Sequence, residues 1–417
     1  MSNSVLQDVL SDTQRSYLQN YVNSIVGFSL PLASLTDPMG LFNSLSRKEE
    51  ACNKHKDQWG NWEGSFCQAY RDGRLAFPYR DSQIFTDAAR YKELHPELPV
   101  VQKYPNGHGF ALCITHDTDN INCYPSVRSL YKAVTRYLSC GLGKTEAFRL
   151  ILLKALKDAL LGRERHLATR DINRFIELEE SLGFRSTFYL FAPVLPKPHH
   201  YDSWYCMTDE VQFRKRRMQM KELARIIHDE GWDIGLHGSY HSAIQAGCLK
   251  QEKESLQGEL GFEIQSSRQH WLHFDVRQTP LLHQDAGFVS DSTLGFNRHI
   301  GFRSSVAHPH KLWSTKEGDS LSVWQIPLNI MDGTLFYDNA LELDEDMAIA
   351  QCVDLMERVA VVGGVLTINW HPDHLNKDLF FRVYAQVLSE AKKMNAWGCS
   401  AAQLASHWEA YTSSLCR

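Results

Sequence analysis

The chain has 417 residues, with 44 Lys plus Arg against 49 Asp plus Glu and a formal charge of −5. That length allows a full hydrophobic core in two or three domains of about 150 residues, or one large barrel with extensions. A hydrophobic fraction of 43% with 22% charged residues excludes collagen-like, low-complexity and broadly disordered chains, and the small negative balance supplies no global positive field, so nucleic acid is not an expected partner.

The opening MSNSVLQDVLSDTQRSYLQNY lacks a basic segment followed by an apolar one, and it places Asp8 and Asp12 where a signal peptide would be apolar. The longest apolar runs, such as Val359 to Ile368, fall short of the ~18 residues of a bilayer span. Ten cysteines are scattered without a CxxC pair, as expected of free thiols in a reducing compartment. Together these features predict a cytoplasmic chain without a transmembrane segment.

Residues 1–103 read as an N-terminal extension, mixed but mostly helical, with a helical pattern near Val5 to Ile25. Residues 104–417 change texture: short apolar runs alternate with amphipathic segments, the pattern of βα units in a barrel or a parallel sheet. Predicted strands are Phe110 to Thr115, Ser186 to Phe191, Asp233 to Leu236, Trp271 to Phe274, Phe288 to Ser290, Ser322 to Ile326 and Val365 to Asn369, about seven and close to a barrel count. Predicted helices are Asp171 to Leu182, Lys215 to Glu230, Leu249 to Leu260 and Asp344 to Val362. Each stops at a glycine (Gly183, Gly231, Gly261, Gly363), the residue that best tolerates the left-handed position past a helix end. The tail from Phe380 to Trp408 reads as two closing helices.

Chemistry-bearing residues fall just past strand ends, the positions that share one mouth in a parallel barrel. Thr115-His116-Asp117-Thr118-Asp119 follows FALCI, and two carboxylates one residue apart can divide the work of metal binding and of proton acceptance. Taken alone, such a pair is more often an Asx-turn or a helix cap. His237-Gly-Ser-Tyr-His241 follows WDIGL; on a helical turn the two imidazoles would share a face and reach one ion, although in a chain with 19 His chance pairs also occur. His371 in INWHP follows the last strand and suits a proton donor to a leaving amine. Arg303 in GFR could hold a carboxylate, and Asp332 before Gly333 could orient His371 or simply form a turn. The basic run Arg214 to Arg217 is most simply a solvated helix face, and Trp204, Trp271, Trp313 and Trp370 fall in loops or strand ends of the barrel half, where an aromatic ring either stacks on a ligand or is buried in the core.

The order THDTD, STFYLF, LHGSYH, GFR, INWHP resembles the polysaccharide deacetylase family with the NodB-homology fold, over roughly Gly109 to Trp397. The resemblance implies an α/β fold, a distorted (β/α) barrel, in a hydrolase of carbon–nitrogen bonds other than peptides. It implies Asp117 as general base, Asp119, His237 and His241 as ligands of a divalent metal, Arg303 as the tether of the base and His371 as general acid. Zinc is the expected ion, with cobalt, nickel or manganese as alternatives. Trp370, Tyr240 and Asp332 are the expected substrate contacts. The expected reaction removes an N-acetyl or other N-acyl group from an amino sugar, a glycan or a sugar-linked intermediate. The family's adjacent aspartates are separated here by Thr118, which leaves open which of Asp117 and Asp119 is base. An O-acyl, N-formyl or non-carbohydrate amide substrate, or a catalytically silent glycan-binding barrel, is the alternative.

Overall fold

The computed structural model describes residues 10–121, 167–192, 194, 199, 201–203, 205–372 and 378–415. In chain order its strands are β1 (Ala111–Thr118), β2 (Thr187–Phe191), β3 (Glu210–Phe213), β4 (Arg216–Gln219), β5 (Asp233–Gly238), β6 (Ser266–Gln269), β7 (Ser290–Asp291), β8 (His310–Ser314), β9 (Asp319–Gln325), β10 (Ile330–Met331), β11 (Val365–Asn369) and β12 (Trp397–Cys399). Ten of them form one sheet in the order β10-β11-β1-β2-β5-β6-β7-β9-β8, with β12 also paired to β1. Every pairing in it is parallel except β8 with β9.

The ladder itself is open, and the chain spans its gap. Residues 326–329 carry β9, beside β7, across to β10, beside β11: Leu328 N donates to Leu294 O at 3.1 Å and Asn329 N to Thr367 O at 3.1 Å. The architecture is a (β/α) barrel distorted at this crossing.

Period-two alternation divides β1 between two cores. Leu112 and Ile114 face the helical layer with Ile172 and Phe175, and His116 stacks on Phe175 at 4.3 Å while its Nε2 meets Glu179 at 2.9 Å. Ala111 and Cys113 face the interior, where Leu404 and Trp408 of the helix Ala401–Leu415 plug the barrel. Asp117 therefore lies on the interior face, above that plug. Leucine and valine stripes seat the helices Cys248–Leu260 and Glu345–Val362, and each ends at a left-handed glycine, Gly261 (φ 84°) and Gly363 (φ 55°).

The N-terminal segment packs on the barrel flank. Its helix Asp12–Val26 starts in a capping box with Ser11 and Gln14, and its apolar face joins Val306 and Trp313 in one cluster. Two predicted elements move. The helix expected from Lys215 begins at Met220, because Arg214 (φ 45°) and Lys215 (φ 64°) turn the hairpin between β3 and β4, and Arg214 there pairs with Glu230 at 2.6 Å. The strand expected at Trp271 to Phe274 lies earlier, at Ser266–Gln269. Among the described residues no helix is long and apolar enough to cross a membrane.

Candidate metal centre

Parallel register brings the strand ends to one rim. Thr115 lies beside Asn369, Asn369 beside Met331, and His237 beside Arg268, so residues directly beyond these positions converge. Because Asp117 and Asp119 are two apart along an extended chain, both carboxylates turn to the interior while Thr118 turns away.

Asp119 Oδ1 lies 3.1 Å from His237 Nε2 and 3.5 Å from His270 Nε2. The ligand atoms of these three residues all lie within 4.8 Å of one another, the one such cluster among the described residues. Hydrogen bonds behind the rings aim them. His237 Nδ1 donates to Arg268 O at 3.0 Å, and His270 Nδ1 faces Asp202 Oδ1 at 3.5 Å, so Nε2 of each ring points at Asp119. Asp119 Oδ1 is buried yet accepts no well-directed hydrogen bond, despite the nearby imidazoles. Converging acceptors without directed hydrogen bonds, each ring held from behind by an oxygen, are what a divalent cation with nitrogen and oxygen ligands requires, and the set fits one. Burial alone would raise the Asp119 pKa, but His270, His237 and His371 hold its carboxyl well below the usual range. Burial likewise disfavours charge on His270, and Asp119 and Asp202 overcome it, lifting the imidazole to about 9, a proton that a bound cation displaces from Nε2.

Asp117 sits beside this cluster, 3% exposed. Arg268 Nη1 donates to its Oδ1 at 3.1 Å and Asn369 Nδ2 to its Oδ2 at 2.8 Å. Arg268 is fully buried and further fixed by Thr115 Oγ1 (2.8 Å), Ser292 O (2.9 Å) and Ser292 Oγ (2.9 Å). On the other side, His371 Nε2 lies 3.9 Å from Asp117 Oδ2 and 3.8 Å from Asp119 Oδ2. Asp332 holds that ring twice, accepting from His371 Nδ1 at 2.6 Å and from its backbone N at 2.8 Å. Burial opposes charge on His371, but Asp332, then Asp119 and Asp117, raise its pKa to about 10, so Nε2 carries a proton at neutral pH.

Several expected roles are corrected. Arg303 does not tether Asp117: it lies in a turn beyond β7 and pairs with Glu50, which it shares with Arg47. Arg268, in register with His237 on β6, occupies the tethering position. His241 is not in the metal cluster. The chain after His237 is the end of a strand and not a helical turn, so a spacing of four does not superpose the rings, and His241 packs edge-on against His199 at 5.0 Å. His270, the first residue past β6, takes that place. Trp370 is fully buried with Nε1 on Phe380 O at 2.9 Å, so it cannot meet a sugar. Tyr240 turns its hydroxyl to Trp59 O at 2.9 Å, and Asp332 is occupied by His371. Trp313 is buried in the N-terminal cluster, and Trp204 lies outside the described residues.

The metal cluster opens into a cleft of about 530 Å³ that contains Asp117, Asp119, His237, His270 and His371. One wall is Gln58 and Trp59 of the N-terminal segment, with Trp59 stacked on Trp271 at 5.2 Å between centroids and 14° between planes. Sequence reasoning missed Arg268, His270 and Trp59. A buried Ser-Ser-Arg-Gln strand carries no apolar signal, and moving that strand past His270 hid a third histidine that obeys the strand-end rule.

No family model matches the chain, and no curated protein matches it. Solved structures do. A protein described as a polysaccharide deacetylase from Mycobacterium smegmatis aligns at TM-score 0.48 and 17% identity, over 74% of this chain and 93% of its own. One so described from Pseudomonas aeruginosa PAO1 aligns at 0.47 and 12%, over 74% and 93%, and the PuuE allantoinase at 0.46 and 12%, over 74% and 92%. Such proteins are what this chain is similar to.

Proposed function

We propose that the protein is a metal-dependent hydrolase that removes an N-acyl group, acetyl foremost, from an amino sugar or a glycan intermediate. The observation that carries this reading is the convergence of Asp119, His237 and His270 beside an acceptor, Asp117, 4.0 Å from His237, and a proton donor, His371, 3.8 Å from Asp119. Asp119, His237 and His270 would hold a divalent cation, which when bound supplies Lewis-acid polarisation of the attacked carbonyl and of water. Asp117, its oxygens fixed by Arg268 and Asn369, accepts the proton of the attacking water. His371 Nε2, aimed by Asp332, gives its proton to the departing amine, which would otherwise leave as an unstable anion. The stacked rings of Trp59 and Trp271 offer an apolar edge to a pyranose. The motif order from THDTD to INWHP supports the same reading.

The test is acetate release from acetylated amino sugars and their oligomers, with zinc, cobalt, nickel and manganese each supplied. Asp117→Asn should lower kcat by about 10²–10⁴-fold with metal content unchanged. A full rate in that variant overturns the assignment of the base.

A further inference from the structure

The cleft beside the proposed centre contains one guanidinium that the protein leaves without a partner. Arg298 lines the same cleft as Asp119 and His371. The buried arginines are satisfied, Arg268 by Asp117 and Arg303 and Arg47 by Glu50, whereas Arg298 is only partly buried. Arg298, among the described residues, has no ion pair, and its Nε is buried without a hydrogen bond. Asp57 and Glu63 border the adjoining recess, but neither forms an ion pair with it. Its guanidinium carbon instead lies 5.3 Å from the centre of the Trp59 ring, the ring that stacks on Trp271.

That combination has a chemical meaning. A partly buried guanidinium that no carboxylate neutralises keeps its charge and its outer N–H groups available to a ligand in the cleft. Packing on an indole leaves the donor edge of a guanidinium free for the in-plane, two-pronged contact that suits a phosphate or a carboxylate and not a hydroxyl. Arg298 and the reacting groups share about 530 Å³, so the anion and the scissile amide belong to one small ligand.

Resting on the hydrolase reading above, we infer that the substrate is an acylated amino sugar bearing an anionic group, phosphate or carboxylate, which Arg298 binds against Trp59. Arg298 is thus a specificity determinant that separates charged from neutral acylated sugars.

Isothermal titration calorimetry on the full chain tests this with four probes: N-acetylglucosamine, its 1-phosphate, its 6-phosphate and N-acetylmuramic acid, which carries a carboxylate. At least one anionic probe should bind tenfold or more tightly than the neutral sugar, and the probe that does so identifies the anion. R298Q should abolish that advantage. R298K, which keeps the charge without the fork, should retain only part of it, and circular dichroism should report an unchanged fold for both. The advantage should also shrink in wild type as salt rises from 50 to 500 mM, a reading that depends on no variant. Equal affinity for all four probes, no binding by any of them, or an anionic advantage that survives R298Q, overturns the inference. Acetate release from the anionic sugars at rates untouched by R298Q would leave the hydrolase reading standing and remove the anion site. Arg298-dependent binding of an anionic probe, without acetate release under any metal, would keep the anion site and remove the hydrolase reading.

Discussion

Arg268→Met tests whether Asp117 depends on a buried cation. Arg268 is fully buried, donates to Thr115, Asp117 and Ser292, and lies 4.8 Å from the centre of the Tyr189 ring. Replacing it leaves the 3% exposed Asp117 carboxylate with Asn369 as its remaining side-chain donor. Breaking one partner of a buried pair costs ~3–5 kcal/mol, much of it from the uncompensated charge. Asp117→Asn removes that charge, so the double variant should be more stable than the sum of the single losses predicts, with a coupling of about 2 kcal/mol. Urea midpoints followed by tryptophan fluorescence, over the four corners of the cycle, give this number. Arg303→Met crossed with Asp117→Asn is the contrast, because Arg303 touches Glu50 instead, and that cycle should be additive. Additivity within ~0.5 kcal/mol in the Arg268 cycle would show that Asp117 does not depend on the Arg268 cation.

Further expectations follow from other contacts. Asp332→Asn removes the largest influence holding the His371 pKa up at about 10, so protonated His371 is lost at lower pH and the alkaline limb of the kcat–pH profile should move toward neutrality; an unmoved limb contradicts the role of Asp332. Burial pushes the Glu50 carboxyl up, but Arg303 and Arg47 outweigh it and bring its pKa below the ordinary 4.5. Its stabilising contribution is therefore present above 4.5 and is lost as pH falls through the depressed value, so Glu50→Gln should destabilise by ~3–5 kcal/mol at pH 7, and the gap to wild type should close in acid. Trp370→Phe should lower the urea midpoint through loss of its hydrogen bond to Phe380, worth about 1 kcal/mol, while KM stays constant. Trp59→Ala should do the reverse, raising KM with little change in midpoint.

Much of the fold was legible because apolar strands and glycine-stopped helices announce themselves by period. β1, β2, β5 and β11 fall where alternation and apolar runs place them, and the strand-end rule located Asp117, Asp119, His237 and His371 at one rim. The rule failed where its input failed. Ser266 to Gln269 is buried through hydrogen bonds, with Ser266 Oγ on Asp233 and Gln269 N on Thr293 Oγ1, and a strand satisfied in that way leaves no hydrophobic trace. Arg268 and His270 were lost with it. His241 misled for a related reason: a spacing of four implies a shared face only on a helix, and here the chain is leaving a strand. The N-terminal wall of the cleft was invisible because Trp59 meets Trp271 across more than 200 residues of sequence, a contact that composition cannot specify.

In the proposed metal site His270, and not His241, is the third ligand beside Asp119 and His237. Metal content and zinc affinity of His270→Ala and His241→Ala, measured after dialysis by atomic emission and competition with a chelator, address it directly. His241→Ala should retain about one ion per chain, and His270→Ala should lose it while remaining folded. Loss of the ion in His241→Ala with retention in His270→Ala would make His241, and not His270, the ligand.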